Sequence, residues 1–293
     1  MGNEVVARKR VEIPPRIREW LKAGGQFPPQ LTLKLHKGNS IDFEVLDRDG
    51  NGCIADVGNR VGHKGFTLRV RNTLNNRISA AKICLIEDYT SGKLEEEMIL
   101  ASEIDDRAPV VNYEFVGAVD KFPDQPEDGR WLCFISRWID GETLEHLLNH
   151  SPDTLHPELA LLVLNKLLQA VLYLEQKGLK HDDLHLGNVM LSERPAEVRA
   201  SDPTGDRYTI DIIDLGSMKR QDTPTAKVHD DRSSYAACIA KIHNCLHQQR
   251  HIAARYPALL QRLFEFGQRL AEEDPSRQFL TLHSAFEPLD AAK

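Results

Sequence analysis

His181-Asp182-Asp183-Leu184-His185-Leu186-Gly187-Asn188, followed by Ile212-Ile213-Asp214-Leu215-Gly216, is the stretch on which the reading of this chain turns. It holds an aspartate with an asparagine five residues on, then an Asp-x-Gly at the end of an apolar strand. Such a set supplies the few hard oxygen ligands that hold metal ions against the phosphates of a nucleotide. The pattern points to phosphoryl transfer.

The chain around this signature has two textures. Residues 1–40 carry Pro14, Pro15, Pro28 and Pro29 around a short amphipathic segment at 17–21, ended by Gly24-Gly25, and read as an appended arm. Segments 41–46 and 53–57 flank a turn rich in Asp and Gly and predict a hairpin. Strand-like runs follow at 66–72, 78–85, 110–118 and 131–139, with one helical segment at 93–103. After Gly141 the periodicity becomes helical, over 142–148 and then 157–177, with Pro157 in the first turn and Gly178 just past the end. The long helix therefore stops immediately before the signature. Segments 188–191 and 208–213 predict two short strands joined by a polar hairpin, and the chain after Asp231 reads as helix.

Composition sets the outer bounds. With 293 residues, 41% apolar and 28% charged, the chain can bury one large core or two lobes, which argues against global disorder. A net charge of −7 argues against a protein that coats nucleic acid. No run of eighteen apolar residues occurs and the first ten residues lack an apolar leader, so a cytoplasmic protein with no membrane contact is expected. Gly2 invites a myristoylation reading, but Val6 stands where that motif needs Ser or Thr. Cys53, Cys84, Cys133, Cys238 and Cys245 are odd in number and scattered, which implies no disulfide framework. Cys238, His243, Cys245 and His247 fall on one predicted helix, at spacings that do not match a closed zinc site, and read as half-buried thiols and surface histidines.

Laid out in this way, residues 58–285 resemble the protein-kinase-like superfamily, which includes eukaryotic-type protein kinases and the aminoglycoside and choline phosphotransferases. The resemblance implies a bilobal α+β fold: an antiparallel-sheet N-lobe with one main helix at 58–139, a helical C-lobe at 140–293, and an N-terminal arm with an extra hairpin at 1–57. It also implies ATP and Mg2+ as cofactors.

The site residues follow from the same resemblance. Val61-Gly62-His63-Lys64-Gly65-Phe66-Thr67-Leu68 stands where the phosphate-covering loop belongs, so Gly62, Gly65 and Phe66 are expected near the nucleotide. The loop is degraded, since Lys64 and Thr67 replace the second and third glycines. Gly50 and Gly52 form a rival loop, but they lie far ahead of Lys82 and a plain hairpin turn explains them. Ala80-Ala81-Lys82 looks like the Ala-x-Lys of the third strand. An ammonium in an apolar strand needs a partner, and Glu96 is favoured over its neighbours Glu95 and Glu97, which face other directions on the helix. Ser136 is expected as a small gatekeeper, with backbone groups near Arg137 and Ile139 reading the adenine. Asp183 is expected as the catalytic carboxylate, Asn188 and Asp214 as Mg2+ ligands, and His181 as a structural brace.

Departures inside the motifs leave the acceptor open. Asp182 and His185 stand where protein kinases usually carry Arg and Lys, and His185 matches the phosphotransferase pattern His-x-Asp-x-His-x-x-Asn. Without that Arg the loop lacks the cation that holds a phosphorylated activation segment. The segment from Asp214 to Asp231 is short and has no Ala-Pro-Glu, whereas Asp274-Pro275-Ser276-Arg277 resembles a protein-kinase ending. The acceptor is thus either a protein Ser/Thr or a small alcohol of the sugar, aminoglycoside or choline kind. Asp182 beside Asp183 hints at an acidic cleft for a cationic acceptor. A third reading is a nucleotide-binding pseudokinase scaffold that meets a partner protein through residues 1–57.

Overall fold

A computed structural model describes residues 15–22, 27–35, 38–46, 48, 65–86, 99–105, 108, 110–119, 130–197, 207–215, 218–221 and 231–270. They fall into two compact units, one drawn from Met1–Glu103 and Asn112–Trp138, the other from Ile104–Val111 and Ile139–Lys293.

The first unit is a β-barrel. After helix α1 (Pro15–Lys22), strands β1 (Gln30–Lys34), β2 (Ser40–Val45), β3 (Gly65–Asn72), β4 (Ile78–Ile86), β5 (Tyr113–Val119) and β6 (Arg130–Arg137) are arranged in the order β1-β2-β3-β4-β6-β5, with every pairing antiparallel. Pairing of Leu33 with Val119 and Lys34 with Ala118 closes the barrel, which leaves no unpaired sheet edge. The antiparallel sheet expected from sequence is present, and its closure into a barrel is the addition. The strand that closes it comes from the segment read as an arm, because β1 is only five residues long and offers just Leu31 and Leu33 as its apolar signal. Segment 41–46 does form a strand, but its neighbours are β1 and β3. Residues 53–57, its expected hairpin partner, lie outside the described residues.

Alternation along the strands separates two faces. Phe66, Leu68 and Val70 of β3, Ala81, Ile83 and Leu85 of β4, and Trp131, Cys133 and Ile135 of β6 fill the interior together with Ile17, Phe27, Leu31, Leu33 and Phe43. Cys84, Ile86, Val116, Leu132 and Phe134 form a second cluster on the outer face. Lys82 follows the outer alternation, between Ala80 and Cys84. The expected strand at 110–118 divides in two: Val110 pairs with Ile212 of the second unit, while Tyr113 begins β5.

The second unit is mainly helical. A short β7 (Glu142–Thr143) leads into α2 (Leu144–His150), and after a 3-10 turn at Pro152–Thr154 comes α3 (Pro157–Gln176). His156 caps α3, its Nδ1 accepting the Leu159 N–H at 3.3 Å, and Pro157 takes the first position, where no N–H is needed. Gly178 ends the helix at φ +66, a left-handed conformation that glycine adopts without a Cβ penalty. By length and composition α3 could cross a membrane, but ten of its residues, from Pro157 to Leu174, are buried within the unit, as in a core helix. Helix α4 (Asp231–Gln248) packs on it: Tyr235 donates its hydroxyl to the Leu164 carbonyl at 3.1 Å, and Arg232 grips Glu175 at 2.6 and 3.0 Å. Helices α5 (Arg250–Arg255) and α6 (Pro257–Arg269) follow.

Among the described residues between α3 and α4 lie four short strands. β8 (Leu179–Lys180) pairs with β11 (Lys219–Arg220), and β9 (Val189–Glu193) pairs with both β10 (Tyr208–Ile212) and β7. The signature occupies the connections among them.

Candidate active site

In the second unit, the order of elements from β8 to β10 brings the signature residues together. Loop 181–185 leaves β8 and enters a 3-10 turn, Leu186–Asn188, capped by His185, whose Nδ1 accepts the Gly187 N–H at 3.1 Å. The Asn188 amide donates Nδ2–H to the Asp183 carbonyl at 2.8 Å, which leaves its Oδ1 as the group able to face a cation. Register does the rest. Val189 lies opposite Ile212, and Ile213 donates its N–H to the Asn188 carbonyl at 2.9 Å, so Asn188 and Asp214 emerge at the same end of the β9–β10 hairpin. Asp214 adopts φ +68 and Asp182 φ +59, left-handed values that Asp tolerates better than most residues but that still require local support.

That support is visible. His181 is fully buried, and its Nε2 donates to the Ile213 carbonyl at 3.0 Å, tying the loop to the strand that carries Asp214. Asp231, at the start of α4, accepts the N–H groups of His181 at 2.6 Å and Asp182 at 3.0 Å, one on each carboxylate oxygen. Burial lifts the Asp231 carboxyl above the usual carboxylate range, opposed by those two donors.

Asp182 does not form the acidic cleft that the sequence hinted at. Its side chain is 5% exposed and is neutralised by Lys219 Nζ at 2.6 Å. Sequence reasoning missed Lys219, although an aspartate in place of the usual arginine is a signal that a buried acid needs a nearby cation. Asp183 is half-buried in the same loop.

The donor set fits Mg2+. Among the described residues no cluster of three or more His, Cys, Asp or Glu side chains can hold a metal by itself. One amide oxygen and one carboxylate, with phosphate and water completing the shell, is how Mg2+ is commonly bound. The Cys238/His243/Cys245/His247 set forms no metal site: Cys238 is buried, which pushes its thiol up to about 12, and His243 instead packs its ring on Phe264 and His247.

In the barrel unit, Lys82 is half-buried on the outer face, in a cross-strand row with Thr67 and Phe134. The adjacent row holds Arg69, Ala80 and Ser136, and the Arg69 guanidinium lies over the Trp138 ring at 5.4 Å. Arg137 is exposed, and Ile139, half-buried, belongs to the second unit. Two residues of the expected phosphate loop behave otherwise. Gly65 lies within β3 opposite Cys84, where a Cβ would stand 2.6 Å from the Ile83 carbonyl oxygen, so close strand approach accounts for the glycine. Phe66 is 1% exposed and packs between Phe27 and Trp131, at 5.6 and 5.9 Å. It is a core residue, turned inward by strand alternation. Gly62 and Glu96 lie outside the described residues; the helix expected at 93–103 is described only at 99–102.

No model of a known family matches the sequence, and no curated protein is significantly similar to it. Solved structures are. The chain is similar to a ROP18 kinase domain in complex with AMP-PNP and sucrose, with a TM-score of 0.55 and 12% identity over 97% of this chain and 90% of that one. It is also similar to the BubR1 kinase domain, with a TM-score of 0.52 and 14% identity over 91% and 87% of the two chains. A double mutant of the Mycobacterium tuberculosis PknI kinase domain gives 0.52 at 15% identity over 85% and 95%. With the signature where the resemblance put it and these neighbours spanning most of its length, the chain has a protein-kinase-like fold.

Proposed function

We propose that the protein is an ATP- and Mg2+-dependent phosphotransferase of the cytoplasm that moves the γ-phosphate of ATP to a hydroxyl, with a protein serine or threonine, its own included, as acceptor. The observation that carries this reading is the β9–β10 hairpin, which gathers Asp183, Asn188 and Asp214 around one set of short hydrogen bonds. Protein-kinase domains as structural neighbours, and the neutralised Asp182, support a protein acceptor over a cationic small molecule.

In this mechanism Asp183 accepts the proton of the acceptor hydroxyl while that oxygen bonds to the γ-phosphorus. The bond from phosphorus to the bridging oxygen breaks, and ADP leaves with that oxygen. No covalent intermediate forms on the protein. Asn188 and Asp214 would hold the metal, and Lys82, paired with Glu96, would bind the phosphates. Bound Mg2+ supplies neutralisation of the phosphate charge.

A second reading is a nucleotide-binding scaffold, favoured by Lys64 and Thr67 standing where the phosphate-covering loop would carry its second and third glycines. Incubation with γ-labelled ATP, Mg2+ and a generic protein acceptor, beside an Asp183→Ala control, separates the readings. Label on protein, abolished by the substitution and by EDTA, is expected. Label only on small alcohols would move the acceptor class, and ATP binding without transfer would leave the scaffold.

A further inference from the structure

The segment that follows Asp214 returns to the strand leading into the loop that carries Asp183, and an ion pair joins it to that loop. Lys219 and Arg220 pair with Lys180 and Leu179, the Gln221 N–H donates to the Gly178 carbonyl at 2.9 Å, and Lys180 Nζ donates to the Gln221 carbonyl at 3.3 Å. At the loop end of this short ladder, Lys219 Nζ meets Asp182 Oδ2 at 2.6 Å. Asp182 is the residue before Asp183, and its backbone is held in a left-handed conformation. Both Asp231 oxygens are taken by backbone N–H groups, so they do not compete for the lysine.

We propose that Lys219 is a positioning residue for phosphoryl transfer: a permanent cation that clamps the segment after Asp214 to the loop carrying Asp183, so that this part of the site assembles without a covalent phosphate. The inference rests on the phosphotransferase reading above. Its physical basis is the cost of a buried charge that loses its partner. Removing the ammonium takes the cation at 2.6 Å from a buried carboxylate, and the adjustment of Asp182 is passed to Asp183 beside it and to the path from Asp214. Where such a segment is switched by phosphorylation, the added group brings the charge that a cation must meet. Here both charges are encoded in the chain.

The test compares Lys219→Met, which keeps length and removes charge, with Lys219→Arg, which keeps charge. Arg207→Gln serves as control, since it removes a cation away from the loop, with its exposed pair to Glu193 and its contact over the Tyr208 ring. Lys219→Met is expected to lower kcat about 10- to 100-fold, the effect of a misplacement on the order of an ångström. KM for ATP should stay within about threefold, because ground-state binding is not its role. Lys219→Arg should recover most of the rate, and Arg207→Gln should match the unsubstituted protein. Hydrogen exchange should show the Gln221 amide losing protection in Lys219→Met alone. Unchanged kcat in Lys219→Met, or equal impairment in Lys219→Arg, overturns the proposal while the phosphotransferase reading stands. A wild-type protein that transfers no phosphate overturns both, and exchange at Gln221 then marks the pair as a purely structural clamp.

Discussion

Asp231 offers a direct test of how the signature loop is held. Its carboxylate, itself buried, accepts two N–H groups, from the fully buried His181 and from Asp182. Asp231→Ala leaves both donors without an acceptor, and a buried unsatisfied donor costs about 1–3 kcal/mol. The expected loss is therefore about 2–6 kcal/mol, reduced by the relief of no longer burying a charge. Asp231→Asn should cost less, since one oxygen still accepts while its NH2 opposes the second donor. Urea denaturation followed by circular dichroism measures this, with the loss assigned to the transition of the second unit. Activity should fall as well, because the loop also carries Asp183. A pH signature accompanies it. The folded carboxyl titrates above its unfolded value because of burial, so its contribution to stability is full below the unfolded pKa and is lost as pH rises through the folded one. The stability difference between wild type and Asp231→Asn should therefore move in favour of Asn as pH rises across that window. An Asp231→Ala protein within about 1 kcal/mol of wild type, less than one unsatisfied donor costs, would refute the reasoning.

Phe66→Ala should destabilise the barrel by about 3–5 kcal/mol, as large-to-small changes in a packed aromatic core do, seen as a lower midpoint of its transition. Deleting residues 1–40 removes Ile17, Phe27, Leu31 and Leu33 from the barrel interior. At about 1.5–3 kcal/mol for each buried side chain, the loss matches the whole stability of a typical domain, so the barrel signal should be absent from near-ultraviolet circular dichroism. The Tyr173 hydroxyl, donating to Asp105 at 2.9 Å, and then Lys177 at 3.2 Å hold the Asp105 carboxyl below the usual range. Its contribution is present above the unfolded pKa and fades as pH falls through the lowered one, so Asp105→Asn should flatten the acid limb of the stability curve.

The signature was legible in the sequence where its motif and the local backbone demanded the same residues at short spacing. Asp183 lies in the loop that leads into the 3-10 turn holding Asn188, and Asp214 follows closely on the apolar end of β10, so the signature and the β9–β10 hairpin were legible without a fold. Helix α3 was legible for the same reason, through Pro157, its apolar period and Gly178. The barrel closure was not, because β1 has two inward side chains and its partner β5 lies more than eighty positions away. Strand alternation also explains the Phe66 misreading. A glycine-containing stretch looks like a loop until cross-strand register shows that Gly65 is glycine because Ile83 comes close, and that the next residue must then face the core.

Asp182 carries the remaining argument. Taken singly, an aspartate in place of arginine subtracts a function from the loop and adds negative charge beside Asp183. In the fold it is half of a pair whose other half, Lys219, lies on β11 just beyond Asp214, so the loop keeps its electrostatic tether with the signs exchanged. A charge reversal in a motif is therefore incomplete information: a buried carboxylate must be met by donors, as Asp231 is by two N–H groups, or by a cation, as Asp182 is by Lys219. The segment that supplies it here is the one whose position determines where Asp214 stands. On this argument the departure from the usual signature changes how the loop is held, while Asp183, Asn188 and Asp214 keep the arrangement on which the proposed transfer would depend.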